Sequence, residues 1–129
     1  MAQTPIILIV EPNALFRRAL TRTIRSRFPE LSVIETDSAD EALIKSASLK
    51  PQLVLMDIRL GNGGTQGLDL IRRIAVSLPF TRIAVLTDSD DEAYRKAAFG
   101  KGADFFISKT RPNEGKKVLT IIQMALLEA

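Results

Sequence analysis

The chain of 129 residues has no cysteine and no histidine. Those absences exclude disulfides, thiol nucleophiles, imidazole acid–base catalysis and most zinc sites together. A chain without disulfides is compatible with a reducing compartment. Tryptophan is also absent and aromatic residues make up only 5%, so the broad stacking platforms that hold unpaired bases are not expected. No apolar run approaches the length of a membrane span. The first five residues carry no basic segment, so the apolar run Ile6–Val10 is not expected to be a secretory signal. Neither sign of charge dominates: 18 basic and 15 acidic side chains leave a net charge of +3. That small excess permits an acidic partner surface but does not by itself indicate nucleic acid.

What is present describes one ordinary globular domain, 46% hydrophobic and 26% charged. The most informative stretch is Leu53-Val54-Leu55-Met56-Asp57, four apolar residues that stop at a carboxylate. A short unbroken apolar run bounded by turn residues fits a strand buried on both faces. Pro51 precedes it, and Arg59, Gly61, Asn62, Gly63 and Gly64 follow. Ile6–Val10 is a second such run, and it also ends at an acid, Glu11. Pro12 favours extended geometry in the residue before it, and Asn13 is a good N-cap for a helix from about Ala14. Leu31–Thr36 alternates, as an edge strand would. Ser38 and Glu41 form a capping box for a helix over about Ala39–Ser48. Leu68, Ile71, Ala75 and Leu78 mark a third helix, and Ile83–Thr87 is the fourth strand. Ser89 and Glu92 predict a capping box for a helix to about Phe99, broken by Gly100 and Gly102. Phe105–Ser108 is the fifth strand, closed by Lys109. Pro112 and Asn113 open a last helix whose apolar face is Val118, Ile121, Ile122, Ala125 and Leu126.

Five strand–helix units in alternation imply an α/β fold, a doubly wound five-stranded parallel sheet with helices on both faces. The flavodoxin-like order 2-1-3-4-5 comes from that fold class rather than from individual residues. It would bring Glu11, Asp57, Thr87 and Lys109 to one edge of the sheet, at the carboxyl ends of the strands, where open α/β sheets bind ligands.

With those residues in place, the whole chain, 1–129, resembles the receiver domain of bacterial two-component response regulators. The match is carried by Glu11 after the first strand, Asp57 after Leu53-Val54-Leu55-Met56, Val85-Leu86-Thr87, and Phe106-Ile107-Ser108-Lys109 after Gly102-Ala103-Asp104. The resemblance implies a phosphorelay switch rather than an enzyme. Asp57 would accept a phosphoryl group from a histidine kinase or phosphotransfer protein. Mg²⁺ would be held by Glu11, Asp57 and the carbonyl of Arg59. Thr87 and Lys109 would contact the phosphoryl oxygens, and Thr87 with Phe106 would form the switch. The partner-binding face would comprise helix 4, strand 5 and helix 5, near Arg95, Lys96, Lys101, Lys116 and Lys117, with homodimerisation open. A cytoplasmic location is implied.

Three positions depart from the family pattern. Pro12 stands where the family has a second acid, so Mg²⁺ binding is expected to be weak. Asp88 stands where a small residue usually follows the threonine. Thr110 stands where a proline usually follows the lysine, so a trans Lys109–Thr110 peptide is expected. The loop after Asp57 also differs, with Gly61 in a proline's place. These departures keep open a pseudo-receiver, a binding module that works without phosphorylation. A flavin-binding alternative would need a glycine-rich phosphate cradle after the first strand, and Glu11-Pro12-Asn13-Ala14-Leu15 offers an acid and no glycine. Direct nucleic-acid binding through Lys101, Arg111, Lys116 and Lys117 lacks a helix-turn-helix or stacking aromatics to support it. Kinase, pathway and output are not legible, nor is whether an effector domain follows Ala129.

Overall fold

The computed structural model describes residues 4–57, 65–88, 91–110 and 114–127. Five strands, β1 (Ile6–Val10), β2 (Ser32–Thr36), β3 (Leu53–Met56), β4 (Arg82–Thr87) and β5 (Phe105–Ser108), alternate with helices. The helices are α1 (Ala14–Arg27), α2 (Ala39–Leu49), α3 (Thr65–Ser77), α4 (Glu92–Lys101) and α5 (Glu114–Ile122). The sheet is parallel, in the order β2-β1-β3-β4-β5.

Side chains alternate between the two faces of a strand, and here the alternation builds two cores. Ile7, Ile9, Leu53, Leu55, Ala84, Leu86 and Ile107 point to one face, where α1 and α5 cover them with Ile24, Phe28, Val118 and Ile122. Leu8, Val10, Val54, Met56, Ile83 and Val85 point to the other, against Ala42 of α2, Leu70, Ile71 and Ile74 of α3, and Ala98 of α4. That two-sided burial explains why β1 and β3 carry no polar residue.

Helix ends follow local chemistry. Asn13 caps α1 by accepting from the Phe16 N–H at 2.9 Å, and α1 stops before Phe28, whose neighbour Pro29 disfavours helical geometry there. Ser38 caps α2 through the Glu41 N–H. The Glu41 side chain pairs with Lys45 at 2.7 Å, and that hydrogen bond, with the lysine charge, holds its carboxyl below the usual range.

Three local expectations need correction. The cap of α4 is Asp91, which accepts from the Ala93 N–H at 2.8 Å; Ser89 lies outside the described residues. Gly100 does not break α4, which runs on to Lys101 and ends at Gly102, where φ is +122°. A single glycine near a helix end costs little, whereas positive φ is glycine's own territory. Finally, α5 passes into a π-helical segment, Gln123–Leu127. The wider turn rotates the apolar stripe, so Ala125 is exposed while Leu126 and Leu127 pack on the core. Pro112 and Asn113 lie outside the described residues.

Candidate functional site

The register fixes which strand ends meet. Val10 pairs with Met56, so the next residues, Glu11 and Asp57, are neighbours. Both continue the ladder: the Glu11 N–H donates to the Thr36 carbonyl at 3.0 Å and the Asp57 N–H to the Val10 carbonyl at 3.1 Å. On the other side of β3, Thr87 pairs with Ser108, and the Lys109 N–H donates to the Thr87 carbonyl at 2.7 Å.

Strand parity then sorts the side chains. Glu11, Asp57 and Lys109 continue the alternation of Ile9, Leu55 and Ile107, so they share the α1/α5 face. The Lys109 Nζ donates to Asp57 Oδ2 at 3.0 Å and makes a close contact with Glu11 Oε1. One ammonium thus bridges two buried carboxylates. Burial alone would push Lys109 toward the neutral amine, but its hydrogen bonds and charge interactions with Glu11 and Asp57 outweigh that. Its pKa lies above the ordinary lysine value.

Residues around the triad fix it further. Glu11 Oε2 accepts from the Asn13 N–H at 3.1 Å. Arg17 donates from Nη1 to the Glu11 carbonyl at 2.8 Å, and its Nε pairs with Glu35 at 3.0 Å. The Lys109 Nζ lies 4.2 Å from the centre of the Phe16 ring, within cation–π range. In the sequence Phe16 falls at helical spacing with Leu20 and Ile24, and nothing in that spacing marks it as a partner for Lys109. Arg17 was missed for the same reason.

Thr87 and Phe106 follow the opposite parity. Thr87 is fully buried, and Phe106 is half-buried against the α2/α3/α4 core. The Phe106 ring lies 6.4 Å from that of Phe99, and the Arg95 guanidinium covers both rings, at 5.7 and 5.3 Å from their centres. These residues border a cavity of about 360 Å³ on the α4–β5–α5 face, shared with Lys117, Thr120 and Ile121. Pro12 and Asp88 are exposed. Thr110 turns back on β5, its N–H donating to Ser108 Oγ at 3.3 Å. No peptide bond among the described residues is cis, so the Lys109–Thr110 peptide is trans.

Arg59 lies outside the described residues. Among the described residues no group of three acidic, histidine or cysteine side chains is placed to hold a metal ion. Two carboxylates remain, Glu11 and Asp57. Two carboxylates, completed by waters or phosphate oxygens, are a sufficient donor set for Mg²⁺, so the chemistry of the site fits that ion, with Lys109 sharing the same two acids.

The response regulator receiver domain family matches residues 7–121. Oxygen regulatory protein NreC of Staphylococcus aureus is 34% identical over 110 residues, covering 84% of this chain and 49% of that protein. Response regulator GacA of Pseudomonas protegens is 27% identical over 103 residues, covering 80% of this chain and 47% of that protein. The chain therefore spans about half the length of these curated relatives. Among solved structures, the signal receiver domain of an HD domain-containing protein from Pseudomonas fluorescens superposes with a TM-score of 0.83 at 25% identity, covering 96% of this chain and 95% of that one. A LuxR-family two-component response regulator from Aurantimonas gives 0.81 at 26% identity, covering 95% and 84%.

Proposed function

Because the chain belongs to the response regulator receiver domain family, we propose that it is a phosphorylation-operated switch whose acceptor is Asp57. The observation that carries this is the position of Asp57, buried at the end of the central strand and ion-paired with Lys109 from β5. An Asp57 carboxylate oxygen attacks phosphorus, the bond from phosphorus to the donor's imidazole nitrogen breaks, and an acyl phosphate forms. Such transfer is governed by positioning and charge neutralisation. Lys109 supplies a compact positive charge to a phosphoryl oxygen as Asp57 gives up its own charge to the new bond. Thr87 donates its hydroxyl to another oxygen and, with Phe106, reports the change to α4. Glu11, Asp57 and the Arg59 carbonyl are the groups that would hold Mg²⁺, which when bound supplies further neutralisation at the phosphoryl oxygens. Pro12 in place of an acid makes that binding weak.

Partners follow from the family: a histidine kinase or phosphotransfer protein upstream and an effector downstream, meeting in the cytoplasm. The downstream face is α4–β5–α5, where Arg95, Lys96, Lys101, Lys116 and Lys117 are exposed. A partner with an acidic rim suits it. Charge reversal at Lys116 and Lys117 should slow association and flatten its salt dependence.

The test is incubation with a small acyl-phosphate donor and Mg²⁺, followed by mass spectrometry. One phosphoryl label on Asp57, lost in Asp57→Asn, is the expected result. Label that persists in that variant refutes the assignment. A second reading, a binding module that works without phosphorylation, is favoured by Pro12 and by the Lys109 bridge to Glu11, and complete absence of label would select it.

A further inference from the structure

The Lys109 ammonium occupies the space between the two carboxylates that a metal ion would also need. It donates to Glu11 and to Asp57, and the Phe16 ring lies 4.2 Å away. The ring itself is anchored. Phe16 packs against the core on the α1/α5 face, and its N–H is held by Asn13 Oδ1 at 2.9 Å. The Asn13 N–H in turn is held by Glu11 Oε2 at 3.1 Å. Ring, ammonium and carboxylate thus form one closed set of contacts. A desolvated aromatic face attracts an ammonium through its quadrupole. It offers nothing comparable to a strongly hydrated divalent ion, which needs oxygen ligands.

We infer that Phe16 is a positioning residue that holds the Lys109 ammonium between Glu11 and Asp57, making it a built-in competitor of divalent cations for those two carboxylates. The inference rests on reading Glu11 and Asp57 as the groups that would hold Mg²⁺. Any metal must take oxygen atoms that Lys109 now uses, or sit beside a positive charge. Phe16 adds to the cost of displacing Lys109, so weak metal affinity has a second cause besides Pro12.

Mg²⁺ affinity, read from NMR amide shifts, tests this on the wild type, Phe16→Leu, Phe16→Tyr and Pro12→Asp. Phe16→Leu keeps an apolar residue but removes the ring face. It should bind Mg²⁺ about twofold to thirtyfold more tightly, the range spanned by cation–π energies. Phe16→Tyr keeps the face and should remain within about twofold of the wild type. The ring-current shift of the Lys109 side-chain protons provides a metal-free readout, expected in the wild type and Phe16→Tyr and lost in Phe16→Leu. Unchanged or weaker affinity in a folded Phe16→Leu, with Pro12→Asp tightened, overturns the role of Phe16 alone. If Phe16→Leu does not fold, a wild type without the ring-current shift overturns it. Absence of Mg²⁺ binding in all four proteins overturns it together with the metal-site reading.

Discussion

Replacing Lys109 by methionine keeps most of the aliphatic stem and removes the charge that two buried acids share. The side chains of Lys109, Glu11 and Asp57 are 13%, 4% and 9% exposed, so solvent screens the loss poorly. Removing one partner of a buried ion pair costs about 3–5 kcal/mol. The expected loss here is therefore about 3–5 kcal/mol at pH 7. In a domain of this size that lowers the melting temperature by on the order of 10 °C. Urea denaturation is the assay, with a lower midpoint and an unchanged slope as the signature. The pH dependence has a definite sign. The folded pKa of Lys109 is raised, so its stabilisation is fully present below the unfolded lysine value, about 10.4. It fades only as pH rises through the folded value. The gap between wild type and variant should therefore persist through neutral pH and close in strong alkali. Adding Glu11→Gln and Asp57→Asn should recover most of the loss, because no buried charge is then left alone. A Lys109→Met variant within about 0.5 kcal/mol of wild type at pH 7 would refute the triad as a stabilising unit.

Gly102→Ala should destabilise by about 2 kcal/mol or more, because φ is +122° and a Cβ would lie 2.6 Å from that of Ala75. Gly100→Ala, with nothing within 4 Å of its Cβ, should instead stabilise by about 0.5 kcal/mol, and thermal melts of the two variants check both signs. Asn13→Ala should cost about 1 kcal/mol through loss of the α1 cap, measurable by the same melts.

Strands were the legible part of the fold, because burial on both faces leaves unbroken apolar runs such as Leu53–Met56. Helix caps were legible at Asn13 and at Ser38. The cap of α4 was not. Around α4, Ser89 and Asp91 are both good caps, and only the backbone path selects Asp91. The π-helical segment after Ile122 left no trace in residue spacing, since Ala125 and Leu126 continue an ordinary helical stripe. In the site, Glu11, Asp57 and Lys109 were legible as polar residues ending apolar strands. Phe16 was not, because a ring that packs on a core and a ring that faces an ammonium have the same spacing.

The sheet also separates the two halves of the site. Glu11, Asp57 and Lys109 share the α1/α5 face, while Thr87 and Phe106 follow the alternation of Val85 toward α4. In the proposed switch, the Thr87 hydroxyl on a phosphoryl oxygen is one route from the carboxylates to Arg95, Phe99 and Phe106. The backbone offers a short path: the Lys109 N–H donates to the Thr87 carbonyl at 2.7 Å, and Thr87 pairs with Ser108 in the register. Moving the Lys109 main chain therefore pulls on Thr87 directly. Moving only its flexible side chain does not. Phe16 bears on the side chain and α4 on the strand beyond, so under the proposed reading substitutions at Phe16 should alter cation affinity while leaving the packing of Arg95 on Phe99 and Phe106 in place.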